Sequence, residues 1–180
     1  NFYAYIYPKN LTEFDAIKII TPEIAIKPQL TLDSQGICFH TTKVYSFVFK
    51  ENIEEKQAYW LGLLNSKLLW FFLNSTGYVL RGGYFTFKTE YLKPFPVKRI
   101  DFKSKTEKFF YDKIIENVNS ILDFKETGKD TFRIEAEIDA IVFILYGFTE
   151  DEMMTTLLQM PDVSEAERRE IQFNFKEYNR

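Results

Sequence analysis

One cysteine and one histidine, Cys38 and His40, are all that the 180 residues supply. That excludes an internal disulfide framework and any zinc site assembled from several Cys or His ligands, and it suits a reducing, cytoplasmic setting. Long apolar runs are missing too. The richest stretch, Leu61 to Leu73, is interrupted by Asn65, Ser66 and Lys67 and falls short of the ~18–20 residues of a membrane span, so no membrane partner is expected. No secretory signal pattern opens the chain; beginning at Asn1 directly in an aromatic-rich run, it reads as a fragment of something larger. Glycine is scarce, and none of the seven forms a dinucleotide fingerprint or phosphate-binding loop, Arg81-Gly-Gly83 being too short for either. There is no nucleophile motif of the G-x-S-x-G type. Cys38 and His40 lie two apart, on one face of a strand, without a third group to orient them. The paired carboxylates of the tail lie on helical faces that read as solvated surface, and no carboxylate–carboxylate–lysine set suits two-metal cleavage. The expectation is a chain that performs no bond chemistry and holds no metal or cofactor itself.

What is present is core. Hydrophobic residues make up 46% and aromatics 18%, ample for a packed interior. The net charge of −3 hides an asymmetry: residues 1–105 carry 14 Lys/Arg and 9 Asp/Glu, whereas residues 106–180 carry 9 and 17. The basic excess sits with the strand-like segments and the glycine turn.

Local patterns place the elements. Phe2 to Tyr7 reads as a short strand, Leu11 to Ala16 as one helical turn, and Ile17 to Ile20, closed by Thr21-Pro22, as a buried strand. Ile24 to Ile26 and Leu30 to Leu32 follow, then a turn over Asp33-Ser-Gln-Gly36. Ile37 to Phe39 and Val44 to Phe49 read as two strands around His40-Thr-Thr-Lys43. From Gln57 to Leu73 the apolar spacing predicts one helix, apolar on nearly every side and therefore buried, stopped by Asn74-Ser-Thr-Gly77. Tyr78 to Leu80 and Tyr84 to Lys88 are strands around the Arg81-Gly-Gly83 turn, and Leu92 to Pro96 is extended. Beyond Ile100 the pattern is helical: Ser104 to Phe124, Phe132 to Tyr146, a helix opened by Thr149-Glu-Asp-Glu152, and a last, charged one opened by Ser164-Glu-Ala-Glu167. The first and third begin with capping-box spacing. The fold class expected is α+β: a mixed, mainly β-sheet domain over 1–103 with one buried apolar helix, followed by a helical segment over 104–180 that packs on it or serves as an interaction arm.

Candidate DNA contacts come from side-chain type and position. Lys27, Gln29, His40, Thr41, Thr42 and Lys43 flank short strands, and Arg81, Tyr84, Thr86 and Lys88 surround the glycine turn. Arg and Gln are the side chains that pair bidentately with guanine and adenine, and Lys and Thr suit phosphates. Taken singly, each position reads more readily as an ordinary exposed loop residue. Gly82 and Gly83 are needed as turn formers, Phe85 and Phe87 suit core packing, and Asn65 and Ser66 suit capping.

The ordered set Gly62-Leu-Leu-Asn-Ser-Lys-Leu68, Arg81-Gly-Gly-Tyr-Phe85, Tyr91-Leu92 and Pro94-Phe-Pro96 resembles the TaqI-like C-terminal specificity domain. This is the target recognition domain of bacterial restriction-modification methyltransferases, including the fused type IIG enzymes. Ile17-Lys-Ile-Ile20 with Pro22-Glu-Ile24 resembles the family's opening strand. Glu137-Ile-Asp139, Leu145-Tyr-Gly147 and Thr149-Glu-Asp-Glu152 resemble the stretch that follows the domain in many members. The resemblance implies sequence-specific binding of double-stranded DNA beside a methyltransferase catalytic domain of the same parent chain. That domain would use S-adenosylmethionine to methylate adenine through an Asn/Asp-Pro-Pro-Tyr/Phe motif, with Mg in members that also cleave; the motif is absent here. The family motifs describe scaffold, so the base-reading residues do not carry over. An alternative from another class is an assembly module that works through the acidic helical tail.

Overall fold

The structure, a computed structural model, describes residues 11–180, so the strand expected over Phe2–Tyr7 lies outside the described residues. The elements run α1 (Leu11–Phe14), β1 (Lys18–Pro22), β2 (Ile24–Ala25), β3 (Thr31–Asp33), β4 (Val44–Val48), α2 (Gln57–Leu64), α3 (Lys67–Thr76), β5 (Val79–Leu80), β6 (Tyr84–Thr86), α4 (Thr89–Leu92), α5 (Lys105–Glu126), α6 (Phe132–Leu145), α7 (Glu150–Leu158) and α8 (Glu165–Tyr178). The class is α+β as expected. The first half is less sheet-like than the sequence suggests, because its strands are only two to five residues long.

Those strands form two antiparallel sheets, ordered β3-β1-β4 and β2-β6-β5. Glu23, between β1 and β2, joins them. Its N–H donates to the Lys43 carbonyl at 2.8 Å beside the first sheet, and its own carbonyl accepts from Phe87 N–H at 2.7 Å beside the second. In the first sheet, Lys18 of β1 lies across from Asp33 of β3, and the two form a buried ion pair at 2.6 Å.

Two expectations fail here for identifiable reasons. Ile37–Phe39 is not a strand: the Asp33 carboxylate takes the N–H groups of Ile37 (3.2 Å) and Cys38 (2.9 Å) that a ladder would need, and Ile37 and Phe39 stand exposed. The segment before Pro94 is not wholly extended, since Thr89–Leu92 closes one helical turn as α4.

The helix expected over Gln57–Leu73 is two helices. The chain breaks at Asn65-Ser66, where side chains serve backbone groups elsewhere. Asn65 Oδ1 accepts from Leu30 N–H at 2.9 Å, while Nδ2 donates to the Leu30 and Leu61 carbonyls, both at 3.0 Å. Ser66 Oγ accepts from Leu69 N–H and so caps α3. The break therefore ties the β2–β3 loop to the buried helix pair.

In α2, Tyr59 through Leu64 are all buried. Gly62 is the point of closest approach to α5 and α6: a Cβ there would stand 2.8 Å from Ile114 Cγ2 and 3.1 Å from Val118 Cγ2. The core runs without interruption from Ile19 through α2 and α3 into α5–α8, so the acidic helices pack on the first half. A strap at Pro96–Ile100 fastens the junction. Tyr59 and Tyr146 hydroxyls donate to the Lys98 (2.8 Å) and Pro96 (2.7 Å) carbonyls. The buried Glu55 carboxylate accepts from Ile100 N–H (3.0 Å) and Arg99 Nε (2.7 Å). Burial pushes the Tyr146 hydroxyl up to about 12. Both α7 and α8 form complete capping boxes at Thr149/Glu152 and Ser164/Glu167. At α5 only half forms, because Glu107 turns to Lys98 Nζ (2.8 Å) and Asp101 N–H (2.8 Å) instead of Ser104 N–H.

Asp139, buried in α6, caps a second element. Its Oδ1 accepts from Lys67 N–H at 2.7 Å at the start of α3, and Lys67 Nζ reaches Glu167 of α8 at 3.2 Å. Burial raises the Asp139 carboxyl to about 6, against the opposing pull of Lys67. A folded-state value above the usual ~3.9 means that the folded protein holds this proton more tightly than the unfolded chain. This group's contribution is therefore fully present below about pH 4 and is lost as pH rises through 6, by up to about 3 kcal/mol. Asp139→Asn keeps the acceptor for Lys67 N–H. Urea melts between pH 4 and 7 are expected to show a decline in the parent protein that is absent from the variant; parallel curves would refute it.

Candidate nucleic-acid interface

The second sheet owes its form to the Arg81-Gly-Gly83 turn. Gly82 and Gly83 adopt φ of 89° and 78°, values that L side chains rarely take, and Gly83 N–H donates to the Leu80 carbonyl at 3.2 Å. The turn fixes the register Val79↔Phe85 and Leu80↔Tyr84, and on the other side Ile24↔Thr86 and Ala25↔Phe85. Directly opposed residues share a face and neighbours alternate. Ala25, Phe85 and Phe87 face the core, Phe85 meeting Trp70 edge-on with centroids 4.6 Å apart. Tyr84, Thr86 and Lys88 share the outer face with Ile24 and Leu80.

That outer face carries a pocket of about 230 Å³. It is lined by Glu23, Ile24, Tyr78, Leu80, Thr86, Lys88 and Tyr91. The Glu23 carboxylate draws two of the expected contact residues together, with Lys43 Nζ at 3.1 Å and Lys88 Nζ at 3.8 Å. Two ammonium groups thus converge on one carboxylate at the joint between the sheets. Both extend into solvent, their side chains 76% and 45% exposed. Arg81 is exposed at the tip of the hairpin.

The remaining candidates lie elsewhere. His40 is committed to the structure: Nδ1–H donates to the Thr41 carbonyl at 3.2 Å, leaving Nε2 to accept from the Ser46 hydroxyl. Its ring packs edge-on against Phe14. Thr41 and Thr42 are exposed in the turn that leads to Lys43. Lys27 and Gln29 line a different cavity, of about 400 Å³, between the β2–β3 loop and helices α2, α3, α5 and α6. Among the described residues no group of three or more His, Cys, Asp or Glu is placed to hold a metal ion, and no helix is long and apolar enough to cross a membrane.

Sequence reasoning missed Glu23, Tyr78 and Tyr91. Tyr78 was within reach, because a Gly-Gly turn with known register puts 78, 80, 84, 86 and 88 on one face. Tyr91 arrives on α4, which carries no signal of its own, and Glu23 acts through a joint between sheets that no periodicity reveals.

A family model described as the TaqI-like C-terminal specificity domain matches residues 4–97. That range takes in both sheets, α2, α3, α4 and the pocketed face. It ends before α5–α8, so the motifs at Glu137–Asp139 and Leu145–Glu152 lie outside it. Two curated proteins from Haemophilus influenzae are similar to this chain: "Type II methyltransferase M.HincII" and, from strain ATCC 51907 / DSM 11121 / KW20 / Rd, "Type II methyltransferase M.HindII". Each is 33% identical over 88 residues, which cover 49% of this chain and 17% of the relative. The match therefore spans about a sixth of the length of those proteins.

Proposed function

The chain belongs to the TaqI-like C-terminal specificity domain family, and from that premise we propose that it binds double-stranded DNA sequence-specifically, as the recognition part of a restriction-modification methyltransferase. The observation that carries the reading is the outer face of the β2-β6-β5 sheet. It combines exposed Tyr78 and Tyr84, an Arg-tipped hairpin held by two glycines, and Lys43 and Lys88 converging beside it. Lysines of this kind set position on the phosphates, while Arg81 and the tyrosine face are carried rigidly enough to meet base edges. In this reading the methyl donor S-adenosylmethionine and the adenine chemistry belong to a methyltransferase catalytic domain of the same parent chain, in the cytoplasm. In a type IIG parent, Mg-dependent cleavage belongs to a further domain. The acidic helices α5–α8 buttress the recognition half through the shared core.

Shift assays over a salt series test this. With ~4–6 neutralised phosphates the log–log slope of affinity against salt is roughly −3.5 to −5.5. The double variant Lys43→Ala/Lys88→Ala is expected to flatten it by about 0.9 for each phosphate that is no longer neutralised. Salt-independent binding, or a slope unmoved in the double variant, would count against this face as the interface.

A further inference from the structure

The cavity between the β2–β3 loop and helices α2, α3, α5 and α6 measures about 400 Å³, within the roughly 300–1,000 Å³ of small-molecule sites. Much of its lining is apolar, from Leu61, Trp70, Val118, Ile121, Leu122 and Ile138. Two polar groups in its walls have unused capacity. The Asp139 carboxylate is 5% exposed and spends Oδ1 on Lys67 N–H. Its Oδ2 accepts no hydrogen bond among the described residues, and the Lys67 ammonium stands 3.9 Å away. A carboxylate oxygen at that depth ordinarily receives a donor. The second group is Lys27, which is exposed and so stands at the mouth, without an ion-pair partner among the described residues. The other lysines of the walls are engaged, Lys125 with Glu135 and Lys67 with Glu167.

We infer that this cavity binds a small aromatic acid carrying a hydroxyl or N–H group, with its rings on the apolar lining, its donor on Asp139 Oδ2 and its carboxylate at Lys27. Each part of the ligand answers a feature of the walls. An ionised acceptor such as Oδ2 makes a stronger hydrogen bond than a neutral one and so selects for a donor. That donor is neutral rather than cationic, because Lys67 already stands beside Asp139. The walls hold three ammonium groups, Lys27, Lys67 and Lys125, against the carboxylates of Glu135 and Asp139, a balance that favours an anion at the mouth. A rigid ring system joins the two polar ends without the ordering cost of a flexible chain. The walls come from both halves of the chain: the β2–β3 loop, held to the helix break by the Asn65–Leu30 bonds, and helices α5 and α6. An occupant therefore clasps the loop to the helical half. This site is separate from the outer face of the second sheet and does not depend on DNA binding there.

Backbone NMR spectra of the full 180-residue chain at neutral pH test this with three related probes. They are 6-hydroxy-2-naphthoate, 2-naphthoate, which lacks the donor, and 2-naphthol, which lacks the carboxylate. The first is expected to move the signals of Thr31, Lys67, Ile121 and Leu122 saturably, Lys67 being the amide bonded to Asp139. Each truncated probe should bind roughly tenfold more weakly. Lys27→Ala, at an exposed loop position, should weaken both carboxylates and leave 2-naphthol unchanged, and Lys27→Arg should restore them. Asp139→Asn keeps the acceptor for Lys67 N–H and should bring 6-hydroxy-2-naphthoate down to the affinity of 2-naphthoate. If that variant does not fold, the probe series and the Lys27 variants still decide. Equal affinity for the three probes would mean apolar partition alone and overturn the inference. Shifts confined to residues outside the cavity, or no shift with any probe, would overturn it as well.

Discussion

Asp33→Asn is expected to destabilise the protein more than any other single substitution in the first sheet, because of what it does to Lys18. The Lys18 ammonium is fully buried. Its partners are Asp33 Oδ2 at 2.6 Å and the carbonyls of Phe14 (2.6 Å) and Ala16 (3.3 Å). Two carbonyl dipoles cannot replace a countercharge, and an uncompensated buried ammonium costs about 3–5 kcal/mol. Lys18→Met is the informative comparison. It removes the charge and keeps the volume, and Asp33 retains the N–H groups of Ile37 and Cys38. The loss should be smaller than for Asp33→Asn; thermal melts giving the reverse order would show that the ion pair does not organise the sheet. Acid behaviour adds a second reading of the same pair. The hydrogen bond from Lys18 holds the Asp33 carboxyl well below the usual carboxylate range. Its stabilising effect is present above about pH 4 and disappears as pH falls through the folded-state value. The acid limb of a pH–stability curve should therefore flatten in Asp33→Asn.

Gly62→Val is the second large effect. Helix α2 lies against α5 and α6 so closely that a Cβ at Gly62 would meet Ile114 Cγ2 at 2.8 Å, Val118 Cγ2 at 3.1 Å and Ile138 Cγ2 at 3.6 Å. All three are methyls of β-branched residues, whose χ1 is stiff, so the helices must separate. Overpacking of this kind costs about 1–3 kcal/mol, occasionally more. Replacing a helical glycine with alanine returns up to about 1 kcal/mol of propensity. Gly62→Ala should therefore be mildly destabilising and Gly62→Val much worse, at roughly 3 kcal/mol. A double-mutant cycle with Ile114→Ala checks the cause, because room created on α5 should recover part of the loss. Simple additivity in urea melts would place the strain elsewhere.

These two cases mark where the sequence is readable and where it is not. Helix starts are legible from Thr149, Ser164 and Ser104, because caps act over three residues. The hairpin is legible because positive φ at Gly82 and Gly83 is a local demand. The α2–α3 break is not: Asn65 and Ser66 suit capping by type, but the partner that holds the Asn65 amide at the break is Leu30, 35 residues away in the chain. Nor is the role of Asp33, which reads as a turn former and is also the countercharge of Lys18 across the sheet. Of the candidate contacts, Tyr84, Thr86 and Lys88 emerge together from strand alternation alone. Lys43 joins them only through Glu23, and Lys27 and Gln29 part from them because the β2–β3 loop is drawn toward Asn65.

The hairpin has a bearing on how such a protein changes over generations. It is anchored on its inner side by Phe85 and Phe87 against Trp70 and the core, while Tyr78 and Tyr84 lie exposed on the outer face. Stability is stored in the residues that point in and exposure in those that point out, close together along the same hairpin. If this face binds DNA as proposed, exchange of the outward side chains would alter its contacts without unfolding the frame that carries them.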